Sequence, residues 1–424
     1  VESENVMQIP SLEDIRISVV IPSMSPGQTF TCLSALTCMD WDPSRVEVII
    51  ALGKNPSMQR NRAVEVAKGD IVYFLDSDSR PRGDLFIRGA ALLSEGDFSV
   101  VGGPSVTPAT DTPFQRAVDS IFCSPFGGAS VRARYTPVGI TREATENDLI
   151  LCNMAMLRQV FVENGGFFEE LYPNEENEFL NRIATRGFKL AYCPESIVYR
   201  SQRSGFSAFV RQVFNYGRGR GDQMFLASDW KAVDRFIPAF FAIFVLMFPV
   251  TRGPLRRLFR TVLRFYAFLC CFFAAAAAGT MEFSRIFHHG FGMPDTIMRT
   301  LLFPVMHLGY GAGIIFGLAA NLAGYRRPIG ERVRVVRIKN FGEDWQNMGK
   351  RAKAMTGHSG GSGGKSMPDN DAFIVNTTEF MGNLTGCSSC RACMEGGVLC
   401  GGKSGCDSTG EFSEESDREI SDRS

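Results

Sequence analysis

Three short apolar runs rich in β-branched residues constrain this chain most: RISVVIP (16–22), VEVIIAL (46–52) and DIVYFLD (70–76). Between the first two lies GQTFTCLSALTCMDW, whose Leu33, Leu36 and Met39 carry helical spacing. Between the second and third, QRNRAVEVA places Ala63, Val66 and Ala67 on one face of a second helix. Strand alternating with helix predicts a parallel α/β sheet, and FSVVGGP (98–104) adds a fourth strand.

The third run closes in YFLDSDSRP (73–81), where one serine separates Asp76 from Asp78. Side chains two apart in extended backbone share a side, so the carboxylates would sit about 6 to 7 Å apart at the strand's C-terminal edge. Their repulsion is on the order of 3 kcal/mol at an effective dielectric of about 20. A divalent cation reverses that sign. Open α/β sheets bind ligands beyond the carboxyl ends of their strands, and Mg2+ or Mn2+ takes one or two carboxylates together with substrate phosphates. The competing reading is a solvated turn, since Asp, Ser and Pro are common turn residues. The position at the end of the most apolar central strand favours the metal with phosphates.

A chain of 424 residues exceeds one ordinary core and suggests two or three units. Net formal charge is zero, so the overall balance identifies no partner, although arginine gathers between Arg200 and Arg264. The start, VESENVMQIPSLED, is polar and acidic and shows no secretory-signal pattern. From Phe236 onward come three apolar runs, FIPAFFAIFVLMFPV, LRFYAFLCCFFAAAAAG and LLFPVMHLGYGAGIIFGLAANLAGY. A helical span needs about 20 residues. The first run is short, holds Pro238 and ends at Pro249, which suits a re-entrant or interfacial segment. Basic residues flank the runs: Arg218, Arg220, Lys231 and Arg235 before the first, Arg252, Arg256, Arg257 and Arg260 after it, and Arg326, Arg327, Arg332, Arg334 and Arg337 after the third. If all three groups are cytoplasmic, only the second and third runs span; three full spans is the competing count. Seven scattered cysteines fit reduced thiols in a cytosolic compartment.

Five stretches in order, ISVVIP, NPSMQRNRAVEVAKGDIVYFLDSDSRP, VVGGPSVTP, GGFFEELYPNEENEFLNRIATRGFKL and RQVFNYGRGRG, resemble a membrane-associated bacterial family 2 glycosyltransferase of the GT-A fold. The similarity is greatest to the succinoglycan-type glucosyltransferases of exopolysaccharide synthesis, and it covers about residues 16–325, including PVMHLGYGAG in the third run. It implies a parallel-rich α/β sheet flanked by helices, then C-terminal membrane helices and a disordered tail. The chain then divides into an N-terminal extension (1–15), a catalytic domain (16–205), an amphipathic interfacial region (206–235), a transmembrane region (236–325), a cytoplasmic basic segment (326–355) and a disordered Cys-containing tail (356–424).

The resemblance also implies an inverting transfer of a sugar from a nucleotide donor, usually a UDP-sugar, to an acceptor hydroxyl. Asp76 and Asp78 match the family's Asp-x-Asp, which holds Mg2+ or Mn2+ against the diphosphate. Ile21, Pro22 and Ser23 match the strand end that touches the nucleotide, and Arg60 and Asn61 the helix start beside it. In YPNEENEFL, Glu176 takes the position of the catalytic base, with Glu where many relatives have Asp. The carboxylates Glu175, Glu176 and Glu178 would tend to raise one another's pKa. A structural alternative exists: with Asn174 as N-cap, acids in the first turn complement the helix dipole, and Glu178 pairs with Arg182. For Glu178 that alternative is preferred. Where relatives have an Asp-rich turn after the second strand, this chain has ALGKNPS, which leaves the nucleotide base open. Processive synthases carry Gln-x-x-Arg-Trp, whereas here Gln212 is followed by Val213, Phe214, Asn215 and Tyr216, which suggests addition of one sugar.

Phe206, Phe209, Val210, Val213 and Phe214 fall on one helical face just before the apolar runs, which predicts an interfacial helix. It would hold the active site near a polyprenyl-diphosphate-linked or polysaccharide acceptor, with Arg211, Gln212, Arg218 and Arg220 meeting acceptor or donor phosphates. The expected setting is the bacterial inner membrane with the catalytic domain in the cytoplasm, and no nucleic acid as partner. His288 and His289 read as solvated. In CSSCRACMEGGVLCGGKSGC, Cys387, Cys390 and Cys393 have C-x-x-C spacing that suits zinc or an iron–sulfur cluster, but Cys400 comes too late for the ferredoxin run and no histidine accompanies them, which favours a flexible thiol tail. The alternatives to single-sugar transfer are a processive polysaccharide synthase and a catalytically inactive sugar-nucleotide-binding membrane protein.

Overall fold

β1 (Ile17–Ser23) is buried at all seven positions, as a strand covered on both faces must be, and this explains a near-continuous apolar run in place of an alternating one. The computed structural model describes residues 10–226, 236–282, 293–325 and 333–354. After β1 come α1 (Phe30–Leu36), β2 (Val46–Leu52), α2 (Pro56–Val66), β3 (Ile71–Leu75), β4 (Arg80–Pro81), α3 (Leu85–Ser94), β5 (Val100–Gly102), β6 (Ser105–Val106) and α4 (Pro113–Cys123). The chain continues through β7 (Arg142–Glu143), β8 (Asn153–Leu157), α5 (Arg158–Glu163), α6 (Glu175–Thr185), β9 (Leu190–Tyr192), β10 (Val198–Tyr199) and α7 (Phe206–Leu226). The last elements are α8 (Ile237–Met247), α9 (Gly253–Glu282), α10 (Met293–Leu322), β11 (Arg334–Lys339) and α11 (Trp345–Ala354).

The main sheet has the order β11-β2-β1-β3-β8-β5-β9-β7, and β4-β10-β6 form a smaller one. The three strands expected from the first apolar runs lie side by side and parallel, with Ile17 opposite both Val46 and Ile71. Around this parallel core the sheet as a whole is mixed. β8 enters antiparallel between β3 and β5, and both edge strands, β11 and β7, are antiparallel to their neighbours. In α2, Val64 turns inward and Val66 outward, the reverse of the expected face, while Ala63 and Ala67 are buried as expected.

β11 follows the long apolar helices in sequence yet completes the sheet against β2. Its Arg337 reaches the buried Glu47 at 2.7 Å. Glu47 also accepts from the Ser18 hydroxyl at 2.6 Å, and Ser18 Oγ accepts from Gly69 N–H at 2.8 Å. Lys339 is buried and donates to the Val46 carbonyl at 2.8 Å. A buried charge needs a partner of this kind, and through these contacts residues 334–339 are built into the main sheet.

α7 lies between the sheet domain and α10. Phe209 and Val213 are buried in a second core with α4, α9 and α10, among them Val118, Phe122, Cys270, Phe303 and Met306. The expected interfacial stripe therefore packs inward at these two positions, while Phe206 is exposed. Glycines set the closeness of this packing. A Cβ at Gly217 or Gly221 would collide with the Tyr310 or Ile314 carbonyl of α10, and one at Gly313 or Gly317 with the Phe214 or Arg218 carbonyl of α7. His307 of α10 adds a polar tie: Nε2 donates to the Phe126 carbonyl at 3.1 Å, and Nδ1 accepts from the Tyr266 hydroxyl of α9 at 2.7 Å.

α8 is short; Pro238 fits its first turn, and the helix gives way to a single 3-10 turn at Phe248–Val250, which holds Pro249. Two helical stretches, Gly253–Ala276 and Asp295–Leu322, are long and apolar enough to cross a membrane by length and composition. Leu255, Leu258, Phe265, Phe268 and Phe272 are exposed along α9, and Phe240, Ile243 and Leu246 along α8. Lys231, Arg235, Arg326, Arg327, Arg332, His288, His289 and the C-x-x-C tail lie outside the described residues.

Candidate active site

A cavity of about 510 Å3 opens at the C-terminal ends of β1 and β3, walled on its far side by the start of α6 and by the segment after β10. Pro22 and Ser23 line it from β1, Arg60 from α2, Asp76 and Asp78 from the turn after β3, and Glu176 from α6. These six are among the residues expected from sequence. Ligands bind at this edge of open α/β sheets because here the strand-to-helix connections leave a crevice that short loops can line.

The turn holding the aspartates is built locally. Asp76 N–H donates to Ser79 Oγ at 3.1 Å, and Ser79 N–H returns to the Asp76 carbonyl at 3.0 Å. Asp76 Oδ1 meets Arg60 Nη2 at 2.9 Å, and Asp76 Oδ2 meets Arg200 Nη2 at 3.2 Å. Asp78 Oδ1 meets Arg200 Nε at 2.8 Å. One guanidinium edge thus touches both carboxylates; β3 ends at Leu75, so the turn of residues 76–79 brings the pair together, and not an extended i, i+2 register. Burial works to raise the Asp76 carboxyl, but Arg200 and Arg60 outweigh it and hold it below the usual carboxylate range.

Arg60 links the two halves of the site. Its other terminal nitrogen, Nη1, meets Glu175 Oε1 at 2.9 Å, and both side chains are buried. α6 starts at Glu175 after Asn174, which adopts the left-handed conformation (φ 90°) that Asn tolerates better than most residues. Burial, with help from Glu176, pushes Glu175 up to about 8 against the pull of Arg60. The elevation at Glu175 is thus mainly an effect of burial, to which its neighbour Glu176 adds. Glu176 faces the cavity with Arg134 Nη1 at 3.6 Å. Glu178 is held by Arg182 through two bonds of 2.7 and 3.0 Å, the structural pairing expected for it.

Three expected residues are placed elsewhere. Ile21 is wholly buried in the sheet core opposite Ile50. Asn61 is committed to the loop before α6: it donates to the Phe167 carbonyl at 2.8 Å and accepts from Phe167 N–H at 3.0 Å. Its neighbours Asn55 and Ser57 bind the same loop at the Glu169 and Leu171 carbonyls. Arg220 is buried in α7, where it donates to Gln223 at 2.9 Å. The other three residues assigned to phosphates, Arg211, Gln212 and Arg218, line a second cavity of about 250 Å3. It shares Tyr172, Pro173, Arg203 and Tyr216 with the first, so the two are contiguous.

Sequence reasoning missed Arg200 and Arg203. Both lie in IVYRSQRSG, and the signal available was two arginines just beyond an apolar pair; nothing local to them names Asp76 or Asp78 as partner. Among the described residues no three or more His, Cys, Asp or Glu side chains group to hold a metal. A two-carboxylate set still suits Mg2+ or Mn2+, which draws its other ligands from phosphates and water.

A mixed α/β sheet flanked by helices is the architecture of a GT-A type of domain. Residues 71–281 match the family model described as glycosyl transferase family group 2, which supports a family 2 glycosyltransferase. No curated protein matches the chain. Among solved structures, a mannosyltransferase from Pyrobaculum calidifontis, in complex with GDP-Man and Mn2+, is similar at 13% identity and a TM-score of 0.40, over 74% of this chain and 91% of that one. TarS 1-349 from S. aureus is similar at 14% identity and a TM-score of 0.35, over 78% of this chain and 98% of that one.

Proposed function

We propose that this protein transfers a single sugar, with inversion, from a nucleotide-sugar to a lipid-linked or surface-polysaccharide acceptor at the cytoplasmic face of a bacterial inner membrane. A UDP-sugar donor and a role in exopolysaccharide assembly follow from the sequence resemblance. The observation that carries the reading is the convergence of Asp76, Asp78 and Glu176 on one cavity at the strand ends.

In this reading Asp76 and Asp78 hold Mg2+ or Mn2+ beside the donor diphosphate. When bound, the ion offsets the charge that develops on the departing diphosphate. Pro22 and Ser23 border the nucleotide, and Arg60 fixes Asp76 relative to α6. Glu176 takes the proton of the acceptor hydroxyl at a carboxylate oxygen, because a neutral hydroxyl is a poor nucleophile. Attack from the face opposite the leaving group inverts the anomeric carbon. Arg203, Arg211 and Arg218 in the second cavity suit the diphosphate of a lipid-linked acceptor, since guanidinium pairs well with phosphate oxygens. Gln212 donates to the Tyr216 hydroxyl at 2.9 Å in that cavity, where a processive synthase would carry its Arg-Trp pair.

The exposed apolar faces of α8 and α9 support membrane association. β11 adds a parity argument. The chain leaves the sheet domain through α7 and rejoins the sheet at Arg334, so it crosses any bilayer an even number of times. Two long helices meet that condition, with α8 lying at the surface, and three full spans do not.

The test is a panel of UDP- and GDP-sugars incubated with membranes that contain the protein, scored for radiolabel entering lipid or polysaccharide. Label from one donor, abolished by EDTA and restored by Mn2+ or Mg2+, is expected. No turnover of any donor would sink the reading.

A further inference from the structure

We propose that Arg200 is a resident counter-cation of the Asp76–Asp78 pair, which a divalent ion must displace and which then moves to the donor diphosphate. The inference rests on the proposed metal-dependent transfer. Arg200 occupies the gap between the two carboxylates: Nε contacts Asp78 Oδ1 at 2.8 Å and Nη2 contacts Asp76 Oδ2 at 3.2 Å. A cation held by the same oxygens cannot share that gap with a guanidinium, because the two occupy the same space and repel.

The backbone of Arg200 is anchored independently of its side chain. Arg200 N–H donates to the Val106 carbonyl at 3.0 Å, and the preceding Tyr199 is paired with Arg80 of β4 and Val106 of β6. Asp76 does not depend on Arg200 for its position, because Arg60 holds its other oxygen at 2.9 Å. The acidic side chains Asp76, Asp78, Glu175 and Glu176 share the cavity wall with Arg60, Arg200 and Arg203. Without donor, Arg200 neutralises the pair, and a metal gains little by replacing it. A diphosphate changes both sides of that exchange: it supplies oxygen ligands to the metal and a new anionic partner to the freed guanidinium. Metal and nucleotide then strengthen each other's binding reciprocally.

The experiment titrates Mn2+ into the detergent-solubilised full chain, reading free Mn2+ by its electron paramagnetic resonance signal. Wild type is compared with Arg200→Gln, Arg200→Lys and the double variant Asp76→Asn/Asp78→Asn, alone and with UDP or GDP. A second arm measures retention of radiolabelled UDP and GDP at saturating Mn2+. Wild type should bind Mn2+ weakly alone and more tightly with nucleotide. Arg200→Gln should bind Mn2+ alone on the order of tenfold more tightly than wild type and hold nucleotide less well. Arg200→Lys, with one point charge in place of a fork, should fall between them and serves if the Gln variant does not fold. If wild type shows nucleotide-dependent Mn2+ binding but the Arg200 variants bind Mn2+ alone no better than wild type, the counter-cation role is overturned. Absence of Mn2+ binding under every condition, or binding unchanged in the double Asn variant, would overturn the metal reading itself and this inference with it.

Discussion

Glu175 and Glu176 are adjacent in sequence and differ in what surrounds them. Glu175 is buried against Arg60, while Glu176 faces the cavity. Glu176→Gln should lower transfer by roughly 10^2- to 10^4-fold with nucleotide retention intact, the usual effect of losing a general base; an active variant would remove the assignment. Glu175 makes a different prediction. Its carboxyl rises from an ordinary 4.5 to about 8 on folding, so between those values the fold binds a proton that the unfolded chain has released. Its contribution to stability is therefore full below about pH 4.5 and declines as pH rises toward 8. Melting temperature should fall across that window, and Glu175→Gln should flatten the profile. Asp76 and Asp78 were legible in the sequence because their partnership is local and directly follows an apolar strand, although a turn and not the strand period brings them together. Arg200 was not, since it reaches Asp78 from 122 positions away. Asn61 misled for a related reason: it lies beside Arg60 in sequence but one helical step round, where the loop before α6 takes its whole amide.

At the scale of elements, the sequence motif YGRGRG acquires a division of labour. Gly217 and Gly221 admit α10, while Gly219 admits the Pro173 carbonyl from the loop that leads into α6. The arginines between them point to the second cavity at Arg218 and inward at Arg220. Gly219→Ala should therefore cost roughly 1 to 3 kcal/mol, as overpacked sites do, and should lower transfer because the displaced loop leads directly into Glu175 and Glu176 at the start of α6. Gly205→Ala, where a Cβ meets open space, is the control expected to be silent. Thermal unfolding and transfer rate on the same preparations separate the two outcomes. The parallel trio β2-β1-β3 was readable because buried parallel strands are continuous and β-branched. β8 was not: NMAML holds no β-branched residue, and its place between β3 and β5 is fixed by tertiary pairing. The two-residue strands β4, β6 and β10 carry too little sequence to show any period.

For the whole molecule, β11 bears on stability and on the proposed membrane topology. Arg337→Ala would leave Glu47 buried without its ion-pair partner. The cost should approach the roughly 3 to 5 kcal/mol of a broken buried pair, reduced by the partial exposure of Arg337. In sealed vesicles, protease sites introduced at the ends of β11 and in the catalytic domain should be cleaved from the same side; opposite protection would contradict the even crossing number. The basic residues near β11 were visible in sequence, but their commitment to the sheet was not, because Glu47 lies far upstream. The same strand imposes an order on biosynthesis. A ribosome releases residues 334–339 only after both apolar helices have been made, so until then β2 has an unpaired edge open to other chains. A fragment that ends with α7 would keep that vulnerability permanently, whereas one that splices β11 and α11 directly after α7 would seal it.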